Sequence, residues 1–175
     1  MNVCIYTANR VIILGPPGSN KKRIALSLAE AFNINNCFSI GDALRKEISK
    51  KSDLGRRITE ASKSYSYVDD EIAIELMEKN ISEYEKEGKS WVMEGFPRTR
   101  VQALALQKLG IIPDKFILLN IDEITTLERV RNKLSGKDVE NYTNTSLENF
   151  NEEDIVSLAR AALNEYAMYV FEIAI

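Results

Sequence analysis

Val11-Ile12-Ile13-Leu14-Gly15-Pro16-Pro17-Gly18-Ser19-Asn20-Lys21-Lys22-Arg23 joins an apolar run to a turn with two glycines and a lysine, and Ile24, Leu28 and Ala31 follow at helical spacing. Four apolar residues, three of them β-branched, that stop at a glycine read as a short buried strand. The pattern from Asn20 to Phe32 reads as a helix, so the turn lies between a strand and a helix start. That context belongs to the loop G-x-x-x-x-G-K-[ST], whose backbone N–H groups close around phosphate oxygens while the lysine reaches the outer phosphates and the hydroxyl ligates magnesium. The match is incomplete. Asn20 stands at the last glycine, and Lys22 and Arg23 stand where a hydroxyl is expected.

Size and charge narrow the field. A chain of 175 residues with 45% apolar content is long enough to bury roughly 70% of the surface its unfolded form exposes, as a single domain. Its 23 Lys plus Arg against 26 Asp plus Glu give a net charge of -3, without the diffuse basic field that nucleic-acid binding uses. Any phosphate site is therefore local. No apolar run approaches the roughly 20 residues of a membrane span, and Met1 to Arg10 lacks the layout of a signal peptide, so a reducing cytosolic compartment is the expectation. Cys4 and Cys37 have no metal-ligand spacing and read as semi-buried thiols rather than a disulfide. With no histidine, chemistry must run on Lys, Arg, carboxylates and backbone amides.

Further along, strand patterns at Cys37 to Ile40, Trp91 to Met93 and Phe116 to Ile121 alternate with helical ones. The helices are expected at Asp42 to Lys50, Asp53 to Ser64, Asp70 to Glu87, Thr99 to Leu109 and Glu123 to Leu134. The run Phe116 to Ile121 reads as a fully buried strand. Such alternation implies an α/β fold with a parallel sheet and right-handed crossovers. The polar, Asn-rich stretch from Lys137 to Asp154 reads as a surface loop first and a lid second. A last helical pattern runs from Ile155 to about Phe171, and the apolar end Tyr169 to Ile175 reads as a fold interrupted before its last strand.

Directly after the strand at Trp91 comes Glu94-Gly95-Phe96-Pro97-Arg98-Thr99-Arg100-Val101-Gln102-Ala103. Taken alone, this is a strand-to-helix turn with a solvated arginine. It strongly resembles, however, the D-G-F-P-R-T-x-x-Q-A signature of adenylate kinases. Three more matches occur in order: Gly41-Asp42-Ala43-Leu44-Arg45 is similar to T-G-D-x-L-R, Tyr67-Val68-Asp69-Asp70-Glu71 to L-V-P-D-E, and Leu127-Glu128-Arg129 to the arginine-bearing helix before the lid. The resemblance runs from about Val11 to Tyr166, and Arg100 to Leu104 with Leu109-Gly110-Ile111 is similar to the domains of multi-domain eukaryotic adenylate kinases.

That resemblance implies a P-loop NTPase-type three-layer fold over residues 1–175, with an acceptor-binding insertion at about 40–70, a short lid at about 135–154 and the last strand missing. It implies a donor site for ATP at Gly15, Gly18, Ser19, Asn20, Lys21, Lys22, Arg23 and Arg129. The AMP site would comprise Ile40, Arg45, Tyr67, Val68, Gly95, Phe96, Arg98 and Gln102. Lys21, Arg98, Arg129 and Lys133 would serve the transfer, with Glu94 holding Mg2+ through water. The chemistry suits these residue types. Arginine forks make bidentate, charge-assisted bonds to phosphate, and a glutamine amide pairs with an adenine edge through one donor and one acceptor. The expected partners are ATP, AMP and ADP, with no nucleic acid and no membrane, for a monomer or one domain of a larger protein.

The departures matter as much. Lys133 keeps charge where the family has an arginine but loses the fork. Asn151 or a neighbour falls where a lid arginine is expected, and alignment on Leu163 and Tyr166 leaves Arg160 at one arginine position and Ala162 at the other. A lost finger-type arginine costs on the order of a thousandfold or more in rate. Lys22 and Arg23 admit two readings, a phosphate held without the metal or solvated residues of a helix start. The expected activity is therefore a weak conversion of ATP and AMP to two ADP. The alternatives are an inactive nucleotide-binding or interaction module and a kinase for another monophosphate.

Overall fold

The structure, a computed structural model, describes residues 9–62 and 68–134. In chain order these form β1 (Arg10–Leu14), α1 (Lys21–Ala31), β2 (Asn36–Ser39), α2 (Ile40–Ser49), α3 (Asp53–Ser62), α4 (Asp70–Lys86), β3 (Trp91–Glu94), α5 (Arg100–Lys108), β4 (Lys115–Leu118) and α6 (Glu123–Leu134). The strands build one sheet in the order β2-β3-β1-β4, with every pairing parallel. Parallel strands need crossovers, and helices supply them here.

Alternation along β1 splits the core into two layers. Ile12 and Leu14 face the larger one with Phe38, Trp91 and Met93, covered by Ile72, Ala73, Leu76, Met77 and Ile81 of α4 and Leu106 of α5. Val11, Ile13 and Val92 face the other, covered by Ala25 and Ala29 of α1. Side chains of this kind each contribute roughly 1.5–3 kcal/mol when fully buried. The expected three-layer α/β arrangement, a parallel sheet flanked by helices, is what results. Trp91, the only tryptophan in the chain, is fully buried at the start of β3, and its indole N–H donates to Glu85 at 2.6 Å.

Two expectations are corrected. The run Phe116 to Ile121 is not a fully buried strand: β4 ends at Leu118, and Phe116 and Leu118 are 49% and 54% exposed. Among the described residues β4 pairs only with β1, and an apolar run cannot reveal whether a second neighbour covers it. The helix expected from Asp42 starts at Ile40 instead, because Ser39 caps it, the hydroxyl accepting from the Asp42 N–H at 3.3 Å. Cys37 is a free, half-buried thiol on β2. Cys4, the lid stretch, the final helical pattern and the apolar end lie outside the described residues.

The corner between α2 and α3 depends on a close approach of α3 to the end of α2. A Cβ added at Gly55 would lie 2.2 Å from the Glu47 carbonyl oxygen and 3.1 Å from the Ile48 Cα, so only glycine fits. Beside it, the buried Glu47 carboxylate accepts from Lys50 Nζ and the Ser52 hydroxyl, both at 2.9 Å. Those bonds, outweighing burial, hold its pKa below the usual glutamate value. Gly55→Ala is expected to destabilise the fold by about 1–3 kcal/mol, as overpacking does. Urea unfolding will show it as a lower midpoint at an unchanged slope.

Candidate functional site

The parallel ladder carries on past the strand ends. The Gly95 N–H donates to the Ile13 carbonyl at 3.1 Å and the Leu119 N–H to the Leu14 carbonyl at 2.8 Å. β3 and β4 therefore leave the sheet level with the turn after β1, and all the motifs except those outside the described residues gather at this carboxyl edge. In open α/β sheets this edge is where ligands sit.

The turn itself has the geometry that the sequence asks of it. Gly18 has φ 79°, and a Cβ there would meet the Thr126 carbonyl and the Arg129 side chain at 3.2 and 3.3 Å. Asn20 takes the second left-handed position, at φ 57° and ψ 29° immediately before α1. Asparagine is one of the few non-glycine residues that visit this region, so it preserves the turn that glycine would make. Lys21 Nζ lies over the loop, donating to the Gly15 and Pro16 carbonyls at 2.8 Å each and to the Ser19 hydroxyl at 3.4 Å. Arg129 of α6 reaches the same turn, Nη1 donating to the Gly18 carbonyl at 3.3 Å. The start of α6 is held by Asp122, whose carboxylate accepts from the Thr125 N–H at 2.8 Å and from its hydroxyl at 2.7 Å. These bonds lower the Asp122 pKa.

Across the sheet edge from this turn two arginines lie against neighbouring backbone. Arg98 Nε donates to the Gly95 carbonyl at 2.7 Å, and a Cβ at Gly95 would meet both Ile40 Cγ2 and Arg98 Nη2. The Arg45 guanidinium lies within 3.5 Å of where a Gly41 Cβ would be. Arg98 thus lies against Gly95 at the end of β3, and Arg45 against Gly41 at the start of α2. Phe96 is fully buried, and Val68 packs at the edge of the larger core.

Gln102 is 2% exposed, and each end of its amide has one partner here, which leaves capacity for a second N–H bond and a second oxygen contact. Its amide oxygen accepts from the Arg98 N–H at 2.7 Å, and its amide nitrogen donates to Asp70 Oδ1 at 2.8 Å. Asp70 accepts from the Thr99 hydroxyl as well, at 2.8 Å. Asp70, first residue of α4, is a member of the site that the motif reading did not single out; its only signal was its place in Tyr67-Val68-Asp69-Asp70-Glu71. Tyr67 and the Lys133 side chain lie outside the described residues.

Between the two halves stands a feature with no signal in any motif. Lys22 Nζ pairs with Asp42 Oδ2 at 2.8 Å, and Asp42 Oδ1 also accepts from Arg45. Burial pushes the Asp42 carboxyl up, but the hydrogen bonds from Lys22 and Arg45 outweigh it and hold its pKa below the ordinary value. Both partners are more than a third exposed, so such a pair contributes at most about 1 kcal/mol. Glu94 is nearly buried and accepts from the Ser39 hydroxyl. The half-buried Cys37 thiol registers all three charges: burial raises its pKa, Glu94 and Asp42 raise it further, and Lys22 lowers it.

A parallel sheet with this turn, and with arginines arriving from the next strand ends, defines a P-loop fold of the nucleoside monophosphate kinase type. The family described as "Adenylate kinase" matches residues 13–165; the chain belongs to the adenylate kinase family. It is 34% identical over 121 residues to "Probable adenylate kinase 2, chloroplastic" of Oryza sativa subsp. japonica, covering 69% of this chain and 41% of that protein. It is 36% identical over 121 residues to an adenylate kinase of Baumannia cicadellinicola subsp. Homalodisca coagulata, covering 69% and 56%. It is 37% identical over 124 residues to "Adenylate kinase 8" of Xenopus tropicalis, covering 69% and 24%. The matched region thus spans less than two thirds of each of these relatives.

The family typically uses magnesium with ATP, and the residues present do not fit that ion. The loop hydroxyl is replaced by Arg23, Glu94 already accepts from Ser39 through one carboxylate oxygen, and Asp42 is paired with Lys22 and Arg45. Among the described residues no three His, Cys, Asp or Glu side chains come together to hold a metal.

Two measurements check this geometry. Asn20→Ala is expected to cost about 1–2 kcal/mol from the left-handed strain and Asn20→Gly to cost none of it, read from urea midpoints. Asp42, with a lowered folded-state pKa, contributes stability that is present above the unfolded value of about 3.9 and is lost as pH falls through the folded one. The gap in midpoint between the wild type and Asp42→Asn is therefore expected to narrow over that acid window; a constant gap would contradict the pairing.

Proposed function

We propose that this chain catalyses a weak adenylate kinase reaction, passing the terminal phosphoryl group of ATP to AMP and giving two ADP. The observation that carries the proposal is the meeting at one sheet edge of a phosphate-type turn under Lys21 and Arg129 with two arginines, Arg45 and Arg98, on the opposite side. Family membership supports it.

Phosphoryl transfer is mostly positioning and neutralisation of charge on the moving group. In this reading the backbone N–H groups of Gly18 to Lys21 cradle the donor phosphates, Pro16 and Pro17 having none to give. Lys21 leaves the Gly15 and Pro16 carbonyls to meet the transferring phosphate, and Arg129 lies against the donor. Lys22 and Arg23 add charge to the donor side. Arg45 and Arg98 fork the AMP phosphate in line with it. Ile40, Tyr67, Val68, Gly95 and Phe96 wall the acceptor pocket, and Gln102, with Arg98 and Asp70 fixing its amide, reads the adenine edge. Lys133 supplies charge without a fork, which with Ala162 makes the rate low. No helix among the described residues is long and apolar enough to cross a membrane.

A second reading, a nucleotide-binding module without transfer, is favoured by the family arginine positions held by Lys133 and Ala162. The assay that separates them is ADP production from saturating ATP and AMP, quantified by chromatography with and without magnesium. The kinase reading expects turnover above that of Lys21→Ala, with UMP and CMP poorer acceptors than AMP. Turnover no greater than in Lys21→Ala, with AMP binding retained in calorimetry, selects the module instead.

A further inference from the structure

Magnesium brings two positive charges to the phosphates of a nucleotide, and a loop hydroxyl helps to hold it there. In this chain the pattern's neutral residues after the loop lysine have become Lys22 and Arg23. The substitution removes the hydroxyl and adds two positive charges in the same place. The side chains agree with the count. Lys22 Nζ is fixed 2.8 Å from Asp42, the carboxylate that also holds Arg45, so a cation already stands between the donor turn and the acceptor arginine. The two carboxylates nearby have partners of their own, Asp42 in Lys22 and Arg45, Glu94 in the Ser39 hydroxyl. The Ser19 hydroxyl, nearest in sequence, is 2% exposed and lies beneath Lys21.

We infer that the Lys22 ammonium, with Arg23 beside it on the first turn of α1, takes the place of the divalent ion, so that this chain binds nucleotide phosphates without magnesium. The inference rests on the nucleotide-binding reading above. Lys22 pivots from Asp42 to the phosphates, a compact ammonium on a flexible stem doing what a hydrated ion does elsewhere. The charge balance predicts that free ATP binds about as well as its magnesium complex.

Calorimetric titration of the whole chain with ATP, at matched ionic strength in magnesium chloride or in EDTA, tests this. Wild-type Kd is expected to change less than about twofold between the buffers, while Lys22→Met weakens binding in EDTA about tenfold, the scale of one charge-assisted hydrogen bond. The double variant Lys22→Gly, Arg23→Thr is expected to regain dependence on magnesium. A wild-type affinity raised about tenfold or more by magnesium overturns the inference and leaves nucleotide binding standing. No heat with ATP, ADP or AMP in either buffer overturns both, and the wild-type titrations alone separate these outcomes if a variant fails to fold.

Discussion

β1 is hydrogen-bonded along both edges and covered on both faces, and its register with β3 and β4 extends one residue past each strand end into Gly95 and Leu119. A strand held on four sides cannot slide, because a slip of one residue would turn Val11 and Ile13 into the layer built for Ile12 and Leu14. That constraint fixes the height at which the chain leaves the sheet. The turn from Gly15 to Asn20, the carboxylate of Glu94 and the arginine at Arg98 all take their positions from it. The acceptor arginine Arg45 depends on it less directly, through β2 and the capped start of α2.

The same edge shows how charge is shared between two half-sites. The turn after β1 has Lys21 and Arg129 over its carbonyls, and the ends of β2 and β3 have Arg45 and Arg98 over neighbouring backbone. So many cations in a small space need internal carboxylates, and Asp42 meets that need by binding one from each half. Asp70 plays a quieter part. By accepting from both Thr99 and Gln102 it ties the start of α5 to α4, and the orientation of the glutamine amide follows from that tie.

How far the sequence could be read depended on the range of each interaction. The strand at Val11, the turn, and α1 were legible because each is local: β-branched run, glycine, helical period. The signature from Glu94 to Ala103 located the second half of the site for the same reason. β4 was legible as a strand and misread in burial, since Phe116 and Leu118 carry no mark of what stands on their far side. The contact between Lys22 and Asp42 was not legible at all. It joins first turns of helices that lie on different crossovers, and only the assembled sheet brings them within a hydrogen bond. The motif marked Gln102 as a site residue, whereas its bond to Asp70 needed the packing of α4 on α5.

The placement of Trp91 has a practical side. It sits at the amino end of β3, fully buried, with its indole N–H on Glu85, while the turn after β1 and the cations gathered around it sit at the carboxyl end. Its emission therefore reports on the integrity of the sheet and not on occupancy of the nucleotide edge. A blue-shifted spectrum that stays constant through a ligand titration and moves to the red only in denaturant is the signature this geometry dictates. As the chain's lone indole, it makes fluorescence a clean probe of folding, and binding must be followed by other means.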